Sequence, residues 1–551
     1  MWGTMMAYQL TLGRILERAG SLFSGVEIVS RRPDRSVFRY TYGDFSRRAY
    51  GLAGSLMDAG LRRGDRVATL MYNHHIHLEA FFGVPACGGV LHTINHRLHP
   101  NDIAYILNHA EDRFLIVDDV LLPVFEQIKG RVGCESVIVV PHMNTGFSKQ
   151  YKNYEAFVAR SAGKPVLPSL HENEAAIMCY TSGLAGSPKG VVYSHRALTL
   201  HSLALALPDS AGLAQRDVVL PLVPMHHANA WGLPIAATMV GCKQVFTGGI
   251  TDPDSELELL SAEQVTLSAG VPTVWMGIRD RLEKEPGRWK LAPGLRAIVS
   301  GAAPPLAMIR QLDRLGIRLI QAWGLIESGP LATFATIKSS LENLPQAKKD
   351  ELRATQGIPL PCIELRSIGD GGVAPHDGVT LGEAQLRGPW VASGYYNLPE
   401  LRGKWTEDGW FRTGDVVTVD PNGYMKITDR AKDLIKSGND WISSVDLENA
   451  LMGHEGVQEA AVIAVQHPKW QERPLAVVVL KEGYIATADE LRNFLAERFA
   501  RWQLPDAIVF VPELPHTPTG KLLKKELRKQ YRNWKWENHV LAAHEVNAEL
   551  E

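Results

Sequence analysis

Short apolar runs alternate with longer helix-like stretches through most of the chain. From Asp65 to Leu98, the run Val67-Ala68-Thr69-Leu70-Met71 predicts a strand, His75 to Gly83 a helix, and Gly89-Val90-Leu91 a second strand. The unit recurs downstream. Tyr105 to Asp118 predicts helix then strand, Ser136 to Pro141 a strand, and Val218-Val219-Leu220 and Gln244-Val245-Phe246 short buried runs bounded by polar residues or glycine. Strands alternating with helices build layered α/β structure. Leu295 to Ser300 predicts a strand that ends in the loop Gly301-Ala302-Ala303-Pro304, the position at which open α/β sheets hold ligands.

The run from Thr413-Gly414-Asp415 to Asp429-Arg430-Ala431-Lys432-Asp433 is rich in turn and charged residues and places a domain boundary near Lys432. Beyond it, Val457 to Val465, Leu475 to Leu480 and Ala507 to Val511 predict strands and Ala488 to Phe499 a helix, a compact α+β module of ~110 to 120 residues. The expected fold is α/β, with a large multi-layer N-terminal domain over residues 1–431 and a small α+β C-terminal domain over 432–551. A length of 551 residues supports more than one core. A net charge of −2 gives no electrostatic reason to expect a nucleic-acid partner. Cys87, Cys134, Cys179, Cys242 and Cys362 are scattered singly, as expected of buried thiols in a reducing, cytoplasmic compartment. Residues Met1 to Ala19 lack the pattern of a signal peptide. No apolar run approaches the ~18 to 20 residues of a membrane span, and no prenylation cysteine stands at the C-terminus, so any membrane contact is expected to be peripheral.

The densest chemistry lies in Tyr180-Thr181-Ser182-Gly183-Leu184-Ala185-Gly186-Ser187-Pro188-Lys189-Gly190. Glycines let a backbone aim several N–H groups at one anion, and Thr, Ser and Lys supply further donors, so such a loop suits a polyphosphate. It is not a Walker A loop, because Pro188 precedes Lys189 and Gly190 follows it. A plain surface turn is the alternative. In Gln321-Ala322-Trp323-Gly324-Leu325-Ile326-Glu327-Ser328 an aromatic beside glycine can stack on a purine, and the carboxylate four positions on can hold Mg²⁺. A core Trp and a solvated Glu fit the same letters. In Trp410-Phe411-Arg412-Thr413-Gly414-Asp415 the Asp can accept both ribose hydroxyls, with Arg430 as a second contact, or merely cap a hairpin. Thr517-Pro518-Thr519-Gly520-Lys521 presents one lysine suited to charge that builds up between a carboxylate and an α-phosphate, although a lysine in a basic tail is commonly just solvated.

Taken in order, Thr181 to Gly190, Trp323 to Glu327, Trp410 to Asp415, Asp429 to Ser437 and Thr519-Gly520-Lys521 resemble the motifs of the adenylate-forming (AMP-binding) superfamily. Within it, Pro224-Met225-His226-His227-Ala228-Asn229-Ala230-Trp231, Asp433 to Gly438 and Trp441 to Glu448 most resemble medium- and long-chain fatty-acyl-CoA synthetases. The resemblance implies an acid:thiol ligase that uses ATP, Mg²⁺ and CoA to convert a fatty acid first to acyl-AMP and then to acyl-CoA. It implies that Thr181, Ser182 and Lys189 contact phosphates, with Gly183 and Gly186 in the same loop, and that Thr181 and Glu327 hold the metal. Gly301 and Trp323 would flank adenine, Gln321 would be a further nucleotide-binding residue, and Asp415 and Arg430 would hold the ribose. Lys521 would polarise the adenylation transition state. From the mobile small domain, Lys436 and Trp441 would touch the adenylate, and Lys432 would lie in the hinge. His227 and Trp231 would border the acyl tunnel. Family members are often homodimers.

Several positions depart from the family pattern, among them His226 where an aromatic is common and Asn439-Asp440 where Gly-Glu is usual, and three of them lie on the phosphate side. Leu184 and Ala185 stand where hydroxyl residues are usual, and Ile326 where Thr is usual, so a nucleotide-binding paralogue with weak turnover stays open beside the fatty-acid ligase, as does an aryl or other carboxylate:CoA ligase. His74, His75, His77, His92, His96 and His99 lack metal-ligand spacing with carboxylate support and are expected to be helix-face and loop histidines.

Overall fold

The structure is a computed structural model that describes all residues except 2, 144–145, 162, 164, 182–186, 370, 431–432, 438–439, 518–521 and 537–551, with only the backbone of 228, 430, 440 and 441. The alternating pattern folds into two largely parallel sheets. The first has seven strands in the order Lys152–Asn153, Ser136–Val140, Asp112–Asp118, Arg66–Leu70, Val90–Thr93, Ala175–Tyr180 and Gly190–Ser194. Only its last pair is antiparallel. The second sheet has nine strands and runs parallel from Ile317–Trp323 through Leu295–Val299, Leu267–Gly270, Val218–Pro221 and Lys243–Phe246 to Glu27–Arg31.

Helix His75–Ala86 is apolar nearly throughout and is buried along its length, as expected of a helix without a polar face. It packs in one core with Tyr42–Asp58, whose start is set by a capping box between Thr41 and Asp44. The loops at the carboxyl ends of the two parallel sheets are stitched together. The Asn73 amide donates to the carbonyls of Pro221 (3.3 Å) and Val223 (2.9 Å) and accepts from Met225 N (2.6 Å), while His142 Nε2 donates to the Gly248 carbonyl at 2.9 Å. Both sheets therefore open their strand ends on one shared crevice, where open α/β sheets bind ligands.

Up to Arg430, the run that reads as a boundary is paired strand. Phe411–Val419 and Met425–Arg430 form an antiparallel hairpin within a five-stranded sheet that also contains Gly372–Val373, Glu364–Gly369 and Gly382–Arg387. Residues 415–419 and Met425 are buried in this pairing, so the segment belongs to a packed sheet despite its polar composition. Lys432 lies outside the described residues. From Ile435 on, Val457–His467 and Gln471–Leu480 pair antiparallel, Ala507–Phe510 joins in parallel, and helices Ser444–Leu451 and Ala488–Ala496 cover a core of their own. Among the described residues, no helix is long and apolar enough to cross a membrane.

Candidate nucleotide and acyl site

Thr181 closes the neck of the phosphate-type loop. Its N–H donates to the Lys189 carbonyl at 2.9 Å, and its hydroxyl accepts from Lys189 N at 3.0 Å. Gly190, the next residue, begins the returning strand under the Tyr180 ring, and a Cβ there would lie 2.8 Å from Tyr180 Cζ. Ser182, Gly183 and Gly186, with Leu184 and Ala185, lie outside the described residues.

Lys189 and Glu327 meet around a side chain that sequence inspection missed, Tyr395. The Tyr395 hydroxyl donates to Glu327 Oε1 at 2.5 Å, and Lys189 Nζ lies 5.9 Å from the centre of the Tyr395 ring. Glu327 is buried, not solvated. It sits in the short turn Ile326–Ser328, held by Ala392 N donating to its carbonyl (2.7 Å) and by Tyr193 Oη donating to the Ile326 carbonyl (2.7 Å). Burial, reinforced by the Glu327 charge, pushes the Tyr395 phenol far above its usual value, so it stays a donor. Gly394-Tyr395-Tyr396-Asn397 carries no local signal of chemistry, and only the fold brings it to Glu327.

A second polar pair joins two residues expected to face the nucleotide. The Trp323 indole N–H donates to Asp415 Oδ2 at 3.0 Å, with both residues buried. Trp323 ends a strand of the nine-stranded sheet, and Asp415 lies in the hairpin directly across from Arg430 in strand register. Gly414, with φ +76°, sits inside the strand Phe411–Val419, where its register with Gly382–Arg387 shifts, just before Asp415. Gly301, with φ +89°, is exposed just beyond strand Leu295–Val299, which pairs with the Trp323 strand.

Gln321 corrects the expectation that it serves the nucleotide. It lies two residues deeper on the same strand, 2% exposed, and in the amide orientation that satisfies both of its polar atoms Nε2 donates to the carbonyls of Ala354 and Thr355 (3.1 Å each) while Oε1 accepts from Gln356 Nε2 (2.6 Å). Its amide is saturated by protein, which leaves nothing to offer a ligand.

The segment expected to border the acyl tunnel has an unusual backbone. Asn229, Ala230 and Trp231 adopt φ of 48°, 51° and 55°, followed by Gly232 at 77°. Three consecutive non-glycine residues in the left-handed region cost of order 1–2 kcal/mol each. Packing holds them: Trp231 is buried, and Asn229 Nδ2 donates to Thr93 Oγ1 (3.2 Å), whose hydroxyl in turn lies 3.3 Å from the His226 carbonyl. His227 is half-buried at the start of this turn, and burial drives the neighbouring His226 well below the usual imidazole value.

In the small module, Lys436 stands opposite Trp441 in the pairing of Ile435–Ser437 with Asp440–Ile442. Ser444, at the start of a helix there, donates to Asp429 Oδ2 from its N–H at 2.9 Å and from its hydroxyl at 2.5 Å. Lys521 and Lys432 lie outside the described residues, as do the side chains of Arg430 and Trp441.

The histidines also differ from expectation, because carboxylates do support them. His74 Nε2 lies 2.9 Å from Asp118 Oδ1, and His92 Nδ1 lies 2.7 Å from Asp112 Oδ2. His74, Asp118 and His142 bring possible ligand atoms within 4.8 Å of one another. However, the His74 and His142 rings stack at 4.5 Å with only 20° between planes, so their in-plane lone pairs run side by side and do not converge.

Residues 26–396 match the AMP-binding enzyme family and residues 446–521 the AMP-binding enzyme C-terminal domain. The chain belongs to the AMP-binding enzymes. This AMP-binding enzyme is 50% identical over 534 residues to a long-chain-fatty-acid–CoA ligase of Thermus thermophilus, a match covering 96% of this chain and 97% of that one. It is 41% identical over 538 residues to a medium-chain-fatty-acid–CoA ligase of Ectopseudomonas oleovorans, covering 96% and 98%. Its fold matches a crystal structure of an anthranilate CoA ligase in complex with anthranoyl-AMP with a TM-score of 0.85 at 24% identity, over 97% of this chain and 99% of that one.

Proposed function

We propose that this enzyme is an ATP-dependent fatty-acid:CoA ligase. A fatty-acid carboxylate attacks the α-phosphorus of ATP to give acyl-AMP and pyrophosphate, and the thiol of CoA then displaces AMP to give the thioester. The observation that carries this reading is the 50% identity, over nearly the whole of both chains, to a long-chain-fatty-acid–CoA ligase.

The geometry supports a division of labour. Asp415 receives the ribose hydroxyls with its carboxylate steadied by the Trp323 N–H, and the Trp323 ring flanks adenine beside Gly301. Lys189 and the loop from Thr181 hold the phosphates. The Glu327 carboxylate and Thr181 hydroxyl offer the oxygen donors that Mg²⁺ prefers and would hold the ion, which would neutralise phosphate charge. Lys521 stabilises the charge shared by the entering carboxylate and the α-phosphate, and a swing of the small domain about Lys432 then exchanges it for the CoA-facing surface, with Lys436 and Trp441 beside the adenylate. His227 and Trp231 border the acyl chain. Cys87, Cys179 and Cys242 are buried and Cys134 is half-buried, while Cys362, against the expectation of buried thiols throughout, is exposed; a reducing, cytoplasmic setting and a homodimer with at most peripheral membrane contact complete the proposal.

The test is pyrophosphate release from ATP and Mg²⁺ across fatty acids of increasing length, with Lys521→Ala alongside. The reading expects release that depends on chain length and is abolished by Lys521→Ala, while thioester formation from supplied acyl-AMP survives. Nucleotide binding with no release for any fatty acid would overturn it in favour of a binding paralogue.

A further inference from the structure

We propose that Tyr395 is a positioning residue that holds Glu327 and Lys189 apart and aims them at the metal-bound phosphates of ATP. The inference rests on the reading above for the identity of the ligand. Its footing is the placement of one phenol between two opposite charges.

Glu327 and Lys189 come from separate parts of the fold, one from the turn after strand Ile317–Trp323 and the other from the loop before strand Gly190–Ser194. An ammonium and a carboxylate in one partly buried pocket attract strongly, and direct pairing would quench both the anion meant for a cation and the cation meant for phosphates. Among the described residues, they form no ion pair with each other or with another side chain. Instead, the Tyr395 hydroxyl occupies Glu327 Oε1 at 2.5 Å and the Tyr395 ring lies toward Lys189 Nζ at 5.9 Å. Oε2 of Glu327 then has no protein donor among the described residues.

Tyr395 is itself locked. Ala392 N donates to the Glu327 carbonyl (2.7 Å), and Tyr396 N donates to the Gly190 carbonyl (2.8 Å). The segment 392–396 is thus stitched at one end to the turn bearing Glu327 and at the other to the residue after Lys189. Trp405 adds an edge contact to the Tyr395 ring at 5.2 Å, and its indole N–H donates to the Ala392 carbonyl at 2.5 Å. This is the arrangement of a spacer whose own position is fixed from both sides.

The experiment compares wild type, Tyr395→Phe and Tyr395→Leu by Mn²⁺ binding in the presence of ATP, read by electron paramagnetic resonance, and by ATP binding without metal, read by calorimetry. Pyrophosphate release over a Mg²⁺ titration is the third readout. Tyr395→Phe keeps the ring and loses only the hydroxyl, so it is expected to weaken Mn²⁺ binding about ten-fold or more and to shift the Mg²⁺ requirement equally, with metal-free ATP binding unchanged. Tyr395→Leu is expected to weaken metal-free ATP binding as well, because Lys189 is then able to close on Glu327. Combining Tyr395→Phe with Glu327→Gln is expected to add nothing to Glu327→Gln alone. Unaltered Mn²⁺ binding in Tyr395→Phe, or a fall in turnover that is uniform at every Mg²⁺ concentration, overturns the proposal. If wild type releases no pyrophosphate with any fatty acid, the ligase reading fails while the Mn²⁺ and ATP measurements still decide the role of Tyr395.

Discussion

Replacing Trp323 by Phe isolates one interaction in the nucleotide wall. Phe keeps an aromatic face for adenine but removes the N–H that reaches Asp415 Oδ2 at 3.0 Å. Both residues are buried, at 7% and 4% exposure, so water does not readily replace the lost donor. A hydrogen bond to a charged group contributes ~1.5 to 3 kcal/mol, which corresponds to an ATP affinity lowered by about ten- to a hundred-fold. Calorimetric ATP binding without fatty acid measures this directly. Comparing ATP with its 2′-deoxy and 3′-deoxy analogues shows where the loss falls: the preference for intact ribose is expected to collapse in Trp323→Phe, because the indole holds the carboxylate proposed to receive the ribose. In the same logic, Asp415→Asn is expected to add little in the Trp323→Phe background, since the two residues act as one unit. Wild-type affinity in Trp323→Phe, or losses that add fully in the double variant, would refute the coupling.

Acid stability provides a second prediction. Burial holds His74, His77 and His201 neutral down to about 3 and His96 and His195 down to about 4, and this contribution is present above pH 6.5 and lost as pH falls toward those values. Burial pushes Asp118 and Glu448 up to about 7 and Glu256 up to about 8, a contribution of opposite sign that is lost as pH rises from about 4 through those values. Over these groups the histidine contribution is the larger near pH 5, so stability is expected to rise with pH there; denaturant midpoints that are flat or falling between pH 4.5 and 6 would contradict this. Gly324→Ala places a Cβ 1.9 Å from the Pro330 carbonyl oxygen and 2.8 Å from Leu331 Cα, both backbone. A loss of about 3 kcal/mol or more is expected, read as a lower melting temperature with ATP binding impaired through Trp323, whereas an unchanged melting temperature would show that the backbone yields freely.

The sequence alone determined the layers and marked the candidate site residues, because both are written locally. Apolar runs such as Val67 to Met71 and Leu295 to Ser300 declare strands by their length and flanks, and Thr181, Lys189, Trp323, Glu327 and Asp415 announce themselves through their neighbours in the chain. What lay beyond it is non-local. Trp323 and Gln321 share one face of one strand, and only their depth in the sheet decides that Trp323 meets Asp415 while Gln321 is saturated by the carbonyls of Ala354 and Thr355. The run from Thr413 to Asp433 marks a boundary near Lys432 by its composition, but that its part up to Arg430 is a paired hairpin is decided by its strand partners. Asp118 and Asp112 stand 44 and 20 residues from the histidines they meet, so no spacing rule joins them. Tyr395, 68 residues from Glu327, gains its role only when segment 392–396 is hydrogen-bonded to both sides of the site. Residue type and local period set what each segment can be, and burial and distance, which belong to the assembled chain, set which of those groups act together.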